Sequence, residues 1–238
     1  MNLNTRKQLF LTLEKKNFSP KHVAEVGVYL PETCNIIDYI ERGVTTTLVE
    51  PDPASIQKIQ AKFGDKPQVT LHPVAVYDFS GQLELVARAA STFVSQLEAS
   101  PAIVNDGYQT NTHDQFTVNS VTFDQIDDGS IDLISIDTEG SEWFVLKHMT
   151  SRPAVISIET HGAAYTNPYA KEINDWMMHN GYQILYKDRS DSVFVQPNKI
   201  AITWQDRSRL LFKNAALNTR KYKKRLLKRI KRTLNNHD

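Results

Sequence analysis

HVAEVGVYLPETCNIIDYIERGVTTTLVEPDP, residues 22–53, is the stretch whose reading decides the fold. His22 to Gly27 is a short apolar run closed by glycine, the pattern of a buried strand. Glu32 to Arg42 follows with Ile36, Ile37 and Ile40 at helical spacing, and Gly43 sits where a helix C-cap belongs. Thr45 to Glu50 is β-branched and strand-like. Asp52-Pro53 then offers an N-cap with proline at the first helical position, opening a helix to about Phe63. Strand, helix, strand, helix is the unit of a parallel sheet.

The alternation continues outward. Residues 4–16 read as a helix before the first strand. Val69 to Val76 reads as a third strand, Asp78 to Gly81 as a turn, and Gln82 to Val86 as a strand pairing back on it. Strands are expected at Ile131–Ile136 and Ala154–Glu159, and helices at Ser141–Met149 and Tyr169–Asn180. Tyr182–Tyr186 and Ser192–Val195 are expected to close the fold as an antiparallel hairpin. From about Ala87 to Asn119 no period is sustained, and the stretch reads as an irregular lid or binding loop. Right-handed crossovers between such strands predict a three-layer, Rossmann-like α/β fold. Its sheet is mainly parallel, with helices on both faces. The organisation expected is an N-terminal helix packed on the core (1–20), one central domain (21–200) and a C-terminal helical tail (201–238).

Composition narrows the class. With 40% hydrophobic, 9% aromatic and 23% charged residues, the 238-residue chain has the make-up of an ordinary globular protein. A single cysteine, Cys34, excludes an intramolecular disulfide and a cysteine-based zinc knuckle. Together with the lack of a long apolar run or a secretory leader, it points to a reduced, cytoplasmic setting. The net charge of +1 conceals an asymmetry. Residues 220–232, RKYKKRLLKRIKR, hold nine basic residues and no acid, which leaves the remainder of the chain at −8.

In open sheets, ligands bind beyond the carboxyl ends of the strands, so the residues after each strand carry the function. Glu50 lies 23 residues after Gly27, close to the offset at which a carboxylate meets the 2′ and 3′ hydroxyls of a ribose. The same residue in that place also serves to cap the following helix. Tyr29 and Glu32 stand where a dinucleotide site needs its second and third glycines, so a pyrophosphate is disfavoured. A ribose ligand without pyrophosphate, such as S-adenosylmethionine, fits better. After the Ile131–Ile136 strand comes Asp137-Thr138-Glu139-Gly140-Ser141-Glu142, which projects an acid into the mouth of the site and puts Glu142 in the first helical turn.

These linked segments resemble the FkbM family of S-adenosylmethionine-dependent methyltransferases from about His22 to Val195. The resemblance rests on VAEVGVYLPETCNI with LVEPDP, on HPVAVYDFSGQLEL, on the Ser91-Thr92 pair, and on VNSVTFDQI, IDLISIDTEGSEWFVLK and AVISIE. Two positions depart from the family pattern: Ser135 replaces a basic residue, and Tyr29 and Pro31 occupy the first loop in place of its second glycine. The resemblance implies a class I methyltransferase fold with S-adenosyl-L-methionine as cofactor. It implies that Glu25 and Gly27 line the methionine portion, Glu50 holds the ribose, Val74 and Ala75 flank the adenine, and Asp137 sits near the transferring methyl group. It also implies a hydroxyl acceptor on a sugar, glycolipid or polyketide-like molecule.

An alcohol acceptor must lose its proton to a nearby side chain. His161 or Asp137 is expected as the base, with Glu139 and Glu159 orienting the acceptor. Asp137, Glu139 and Glu142 are also hard oxygen ligands of the type that suit magnesium or calcium, but no histidine has ligand spacing and no metal is assigned. In the tail, Tyr222, Leu226, Ile230 and Leu234 recur every four residues among lysines and arginines. Residues 219–234 read either as a helix lying on an anionic membrane surface or as a solvated tail. Nucleic acid is disfavoured because the acidic body offers no second basic patch. The competing reading is a non-catalytic module of the same fold, tied to a membrane by this tail. No feature of the sequence sets the oligomeric state.

Overall fold

The strand that begins at His22 becomes the centre of the sheet. The computed structural model describes residues 6–88, 91–97, 100, 103–104, 112–162 and 165–235. β1 (His22–Val26) is flanked by β2 (Thr45–Val49), with β3 (Val69–His72) beyond it, all parallel. On its other side lie β8 (Leu133–Ile136) and β9 (Val155–Glu159), also parallel. β11 (Asp191–Val195) then runs antiparallel to β9, and β10 (Gln183–Lys187) pairs antiparallel with β11 at the edge. The seven-stranded order is β10-β11-β9-β8-β1-β2-β3, so the chain reverses its direction of travel across the sheet between β1 and β8. That switch opens a crevice at the carboxyl ends of β1 and β8, where a ligand can enter.

Both faces of these strands are buried, as a parallel sheet between helices requires. Val23, Leu133, Val155 and Val193 point to one face. There they meet α1 (Gln8–Glu14) through Leu9, Phe10 and Leu13, and α3 (Pro53–Phe63) through Ile59 and Phe63. Ala24, Ile134, Ile156 and Phe194 point to the other face. They pack on Val145 and Leu146 of α4 (Glu142–Lys147) and on Ile173 and Met177 of α5 (Ala170–His179). The helix start read at Asp52 is present in detail, since its carboxylate accepts from the Ser55 amide at 2.9 Å. The last helix, α6, runs from Trp204 to Asn235. No described helix is long and apolar enough to cross a membrane.

Three sequence expectations are corrected. The helix expected over Glu32–Arg42 is a single turn, α2 (Ile37–Ile40), because the Glu25 carboxylate captures the backbone amides of Asn35 and Ile36 and holds that stretch as a turn. The strand expected over Val69–Val76 breaks at Pro73, which has no N–H to donate; β3 stays in the main sheet, whereas β4 (Ala75–Val76) joins a second one. Finally, β5 (Gly81–Arg88) does not fold back on β3. It pairs antiparallel with β6 (Ser91–Val94) and β7 (Gln115–Val121), giving a four-stranded sheet of order β4-β7-β5-β6. Part of the stretch read as irregular is thus strand, at β6 and β7, and much of the rest of it, 98–99, 101–102 and 105–111 included, lies outside the described residues.

Candidate functional site

The carboxyl ends of β1, β2 and β8 are flush, and the backbone locks them so. The Gly27 amide donates to the Val49 carbonyl and the Asp137 amide to the Val26 carbonyl, each at 2.9 Å. Gly27 has a φ of +84°, and a Cβ placed there would lie 1.8 Å from the carbonyl oxygen of Asp137. Only glycine allows the ends of β1 and β8 to approach so closely. Two residues on, Tyr29 stands where a second glycine is usual, yet it keeps the left-handed conformation of one, at φ +55°. Its amide donates to Glu50 Oε2 at 2.8 Å, and the Asp52 amide donates to Oε1 at 2.9 Å. Each oxygen of Glu50 therefore holds one backbone donor and retains a lone pair for a ligand hydroxyl. Burial raises the affinity of this carboxyl for a proton, and the Asp52 charge adds to it, against the pull of the Asp52, Tyr29 and Val28 amides.

Glu25 is held more tightly. Its carboxylate accepts from the Asn35 amide at 3.0 Å, the Ile36 amide at 3.1 Å and the Cys34 thiol at 3.1 Å. Burial still pushes its pKa up to about 7. Gly27, Glu25 and Glu50 thus share one cleft with Val74 and Ala75, Asp137, Thr138 and Glu139. Its opposite wall is the second sheet, through Leu83 and Leu85 of β5 and Thr92, Phe93 and Val94 of β6. Among the described residues that line it there is no lysine, arginine or histidine. An acidic floor under an apolar roof accepts a cation that carries a flat apolar group.

The turn after β8 is shaped from behind. Glu139 and Gly140 both have positive φ, +55° and +114°. Fully buried Glu142 receives the amides of Thr138 at 2.9 Å and Gly140 at 3.0 Å, and the side-chain amide of Asn167 donates to its other oxygen. Glu142 therefore braces the turn and does not line the cleft. Asp137, at the head of the turn, has a buried Oδ1 with no hydrogen-bond partner among the described residues. Burial raises its pKa well above the usual carboxylate range, and the charges of Glu139, Asp191, Glu142 and Glu25 raise it further.

Of the residues expected from sequence, Glu25, Gly27, Glu50, Val74, Ala75, Asp137 and Glu139 meet in this cleft. Glu159 lies behind it. Asp137, Glu142 and Glu159 each present one oxygen, all within 4.8 Å of one another. Burial first, and then the neighbouring acids, push the pKa of Glu159 up to about 12, so it carries its proton at neutral pH. Hard oxygens so arranged are the donors that magnesium or calcium takes, although Glu142 already serves three N–H groups.

His161 is not brought to the cleft. The amides of Thr160 and His161 both donate to the Ser190 carbonyl, at 3.0 and 3.1 Å, and this pairing continues the edge of β9 past the site. Its ring lines a separate depression with Thr166, Asn174, Lys187 and Asn214 of α6. The residues that the sequence reading missed are those of the second sheet. Leu83 and Leu85 alternate as a strand facing a cavity does, but their β7 partners lie more than thirty positions away.

Comparison with known proteins completes the description. The family model described as "Methyltransferase FkbM domain" matches residues 23–184. No curated protein matches the sequence. Among solved structures, a ribosomal protein L11 methylase from Lactobacillus delbrueckii subsp. bulgaricus is similar at 12% identity, over 82% of this chain and 80% of that one, with a TM-score of 0.40. Fibrillarin of Aeropyrum pernix, solved with natively bound S-adenosyl-L-methionine, is similar at 10% identity, over 78% and 73% of the two chains, with a TM-score of 0.41.

Proposed function

The chain belongs to the FkbM methyltransferase family, and from that premise we propose that it methylates a hydroxyl group of an uncharged acceptor, with Asp137 as the base. The cofactor of the family is S-adenosylmethionine, and the cleft suits it in charge and shape. Glu25, Glu50, Asp137 and Glu139 complement a sulfonium and an ammonium group, while Val74, Ala75 and Val76 form an apolar wall for an adenine. When bound, this cofactor supplies a methyl group already activated for in-line displacement.

The protein's own part is to position, to shield and to move one proton. Glu50 would accept from the ribose hydroxyls through the lone pairs that its two amide partners leave open. Asp137 would take the proton of the acceptor hydroxyl as the oxygen attacks. The observation that carries this role is its buried, unpartnered Oδ1 beside Glu139 in the same cleft. In its ionised form, a carboxylate whose proton affinity is raised by burial is a stronger base than an exposed one. Glu139, on the strained turn, would orient the acceptor.

Four acids on the floor would repel a phosphate or carboxylate acceptor. Leu83, Leu85 and Phe93 overhead favour an acceptor with an apolar portion. Sugar, glycolipid or polyketide-like hydroxyls meet both conditions. The test is incubation of the protein with S-adenosylmethionine and a panel of such compounds, followed by mass spectrometry for a methylated product. Asp137→Asn should lower turnover by about 10²–10⁴-fold while S-adenosylhomocysteine still binds. Methylation of amines but of no hydroxyl would refute the proposal, as would an Asp137→Asn variant of undiminished turnover.

A further inference from the structure

Among the residues whose side chains are described, which on α6 end at Arg220, large hydrophobics stand exposed at five positions, and three of these belong to α6: Trp204, Leu211 and Phe212, at 74%, 71% and 78% exposure. The root of this helix is firmly seated. Asp206 pairs with Lys16 at 2.5 Å and accepts from the Thr203 amide at 2.8 Å. Leu210, Asn214 and Leu217 face the body, lining depressions against α5, β10 and β11. Leu211 also borders the depression against α5 and β10 while staying largely exposed, whereas Trp204 and Phe212 line neither depression.

Helical register extends the face. At about 100° per residue, Trp204, Leu211, Ala215, Tyr222 and Leu226 stand at i, i+7, i+11, i+18 and i+22 of one unbroken helix. With Phe212 and Ile230 they occupy a sector about 100° wide. Seven of the nine basic residues between Arg220 and Arg232 fall on the opposite half of the helix, and Lys223 and Arg229 fall at the edges of the stripe. The 32 residues of α6 span about 48 Å.

We propose that α6 lies in the interface of an anionic lipid bilayer, with the Trp204–Leu211–Phe212 face and its continuation immersed and the basic half toward the headgroups. The charge pattern selects this occupant. A protein groove would need only the apolar stripe, and nucleic acid only the charge. A stripe flanked and backed by nine cations matches a surface that is apolar beneath and anionic above. The body, at −8, opposes such a surface, so attachment must come from the helix. This proposal stands on α6 alone and does not depend on the reaction.

The full chain should float with vesicles of phosphatidylcholine plus phosphatidylserine and should not float with phosphatidylcholine alone. Raising the salt should release it. The double variant L211Q/F212Q changes two exposed side chains, so it should melt like the parent, yet lose at least about tenfold in vesicle affinity. A second variant, K224Q/R225Q/K228Q, should lose binding and its salt dependence together. Equal flotation with neutral and anionic vesicles would overturn the proposal. So would flotation unchanged by L211Q/F212Q, or salt-sensitive binding to duplex nucleic acid with no flotation.

Discussion

Gly27→Ala is the substitution that probes the site's construction most sharply. At φ +84° the added methyl group meets the left-handed penalty of an L-residue, about 1–2 kcal/mol. It would also lie 1.8 Å from the Asp137 carbonyl oxygen, a contact that no rotamer relieves because the backbone fixes the positions of both the Cβ and the carbonyl. Relaxing it must push apart the ends of β1 and β8, which share the Asp137–Val26 hydrogen bond. Overpacking of this kind costs about 1–3 kcal/mol more. Urea unfolding should therefore show a loss of about 2–5 kcal/mol. The displacement falls on the carboxyl group placed at the reacting centre. Titration calorimetry at a temperature where the variant is still folded should accordingly show S-adenosylhomocysteine binding weakened at least about tenfold. If Gly27→Ala kept both parental stability and parental affinity, the close approach of β1 and β8 would not be what builds the cleft.

Further outcomes follow from neighbouring residues. Tyr29→Gly removes a side chain from a left-handed position, and the strain relieved roughly offsets the entropy of the new glycine, so stability should change by less than about 1 kcal/mol in denaturant titration. Glu142→Gln turns an acceptor toward the Asn167 donor into a second donor and should cost about 1–3 kcal/mol, with kcat falling more than cofactor affinity as the turn loosens. His161→Ala should leave turnover per folded molecule within about twofold, because His161 lines the depression beside α6 and not the cleft; a fall of about 10²-fold or more would return it to the mechanism. The pH dependence of folding has a definite sign at Glu25. Its folded pKa of about 7 lies above the ordinary 4.5, so its contribution is fully present below about pH 4.5 and is lost as the pH rises to about 7. That loss is about 3 kcal/mol, and Glu25→Gln should flatten this part of the stability curve relative to the parent.

The strand ends were legible in the sequence because buried parallel strands are short apolar runs, and an acid straight after one has nowhere to point but the crevice. Glu50 and Asp137 illustrate this, as does Asp52 with its capped helix. Tyr29 was legible only by halves. Its identity shows that a glycine is missing, whereas the left-handed backbone that survives there depends on the amide's bond to Glu50. The roof was not legible, since Gly81 and Val86 pair with Ser120 and Gln115 across a long intervening segment. His161 was legible only as a residue that follows β9. Its place after β9 is local information, but its direction is set by Ser190, which arrives from the β10–β11 turn. The split of charge between body and tail was visible in the sequence, whereas the exposed Trp204, Leu211 and Phe212 that extend its apolar stripe needed the packing of α6.

The central claim is that the ends of β1, β2 and β8 form the seat of S-adenosylmethionine. Calorimetric titration of the full chain with S-adenosylmethionine and S-adenosylhomocysteine tests it most directly, alongside Glu50→Ala. The account predicts one molecule bound per chain, with affinity lowered at least about tenfold by Glu50→Ala. Absence of binding of either compound at millimolar concentration, or affinity indifferent to Glu50, would contradict it.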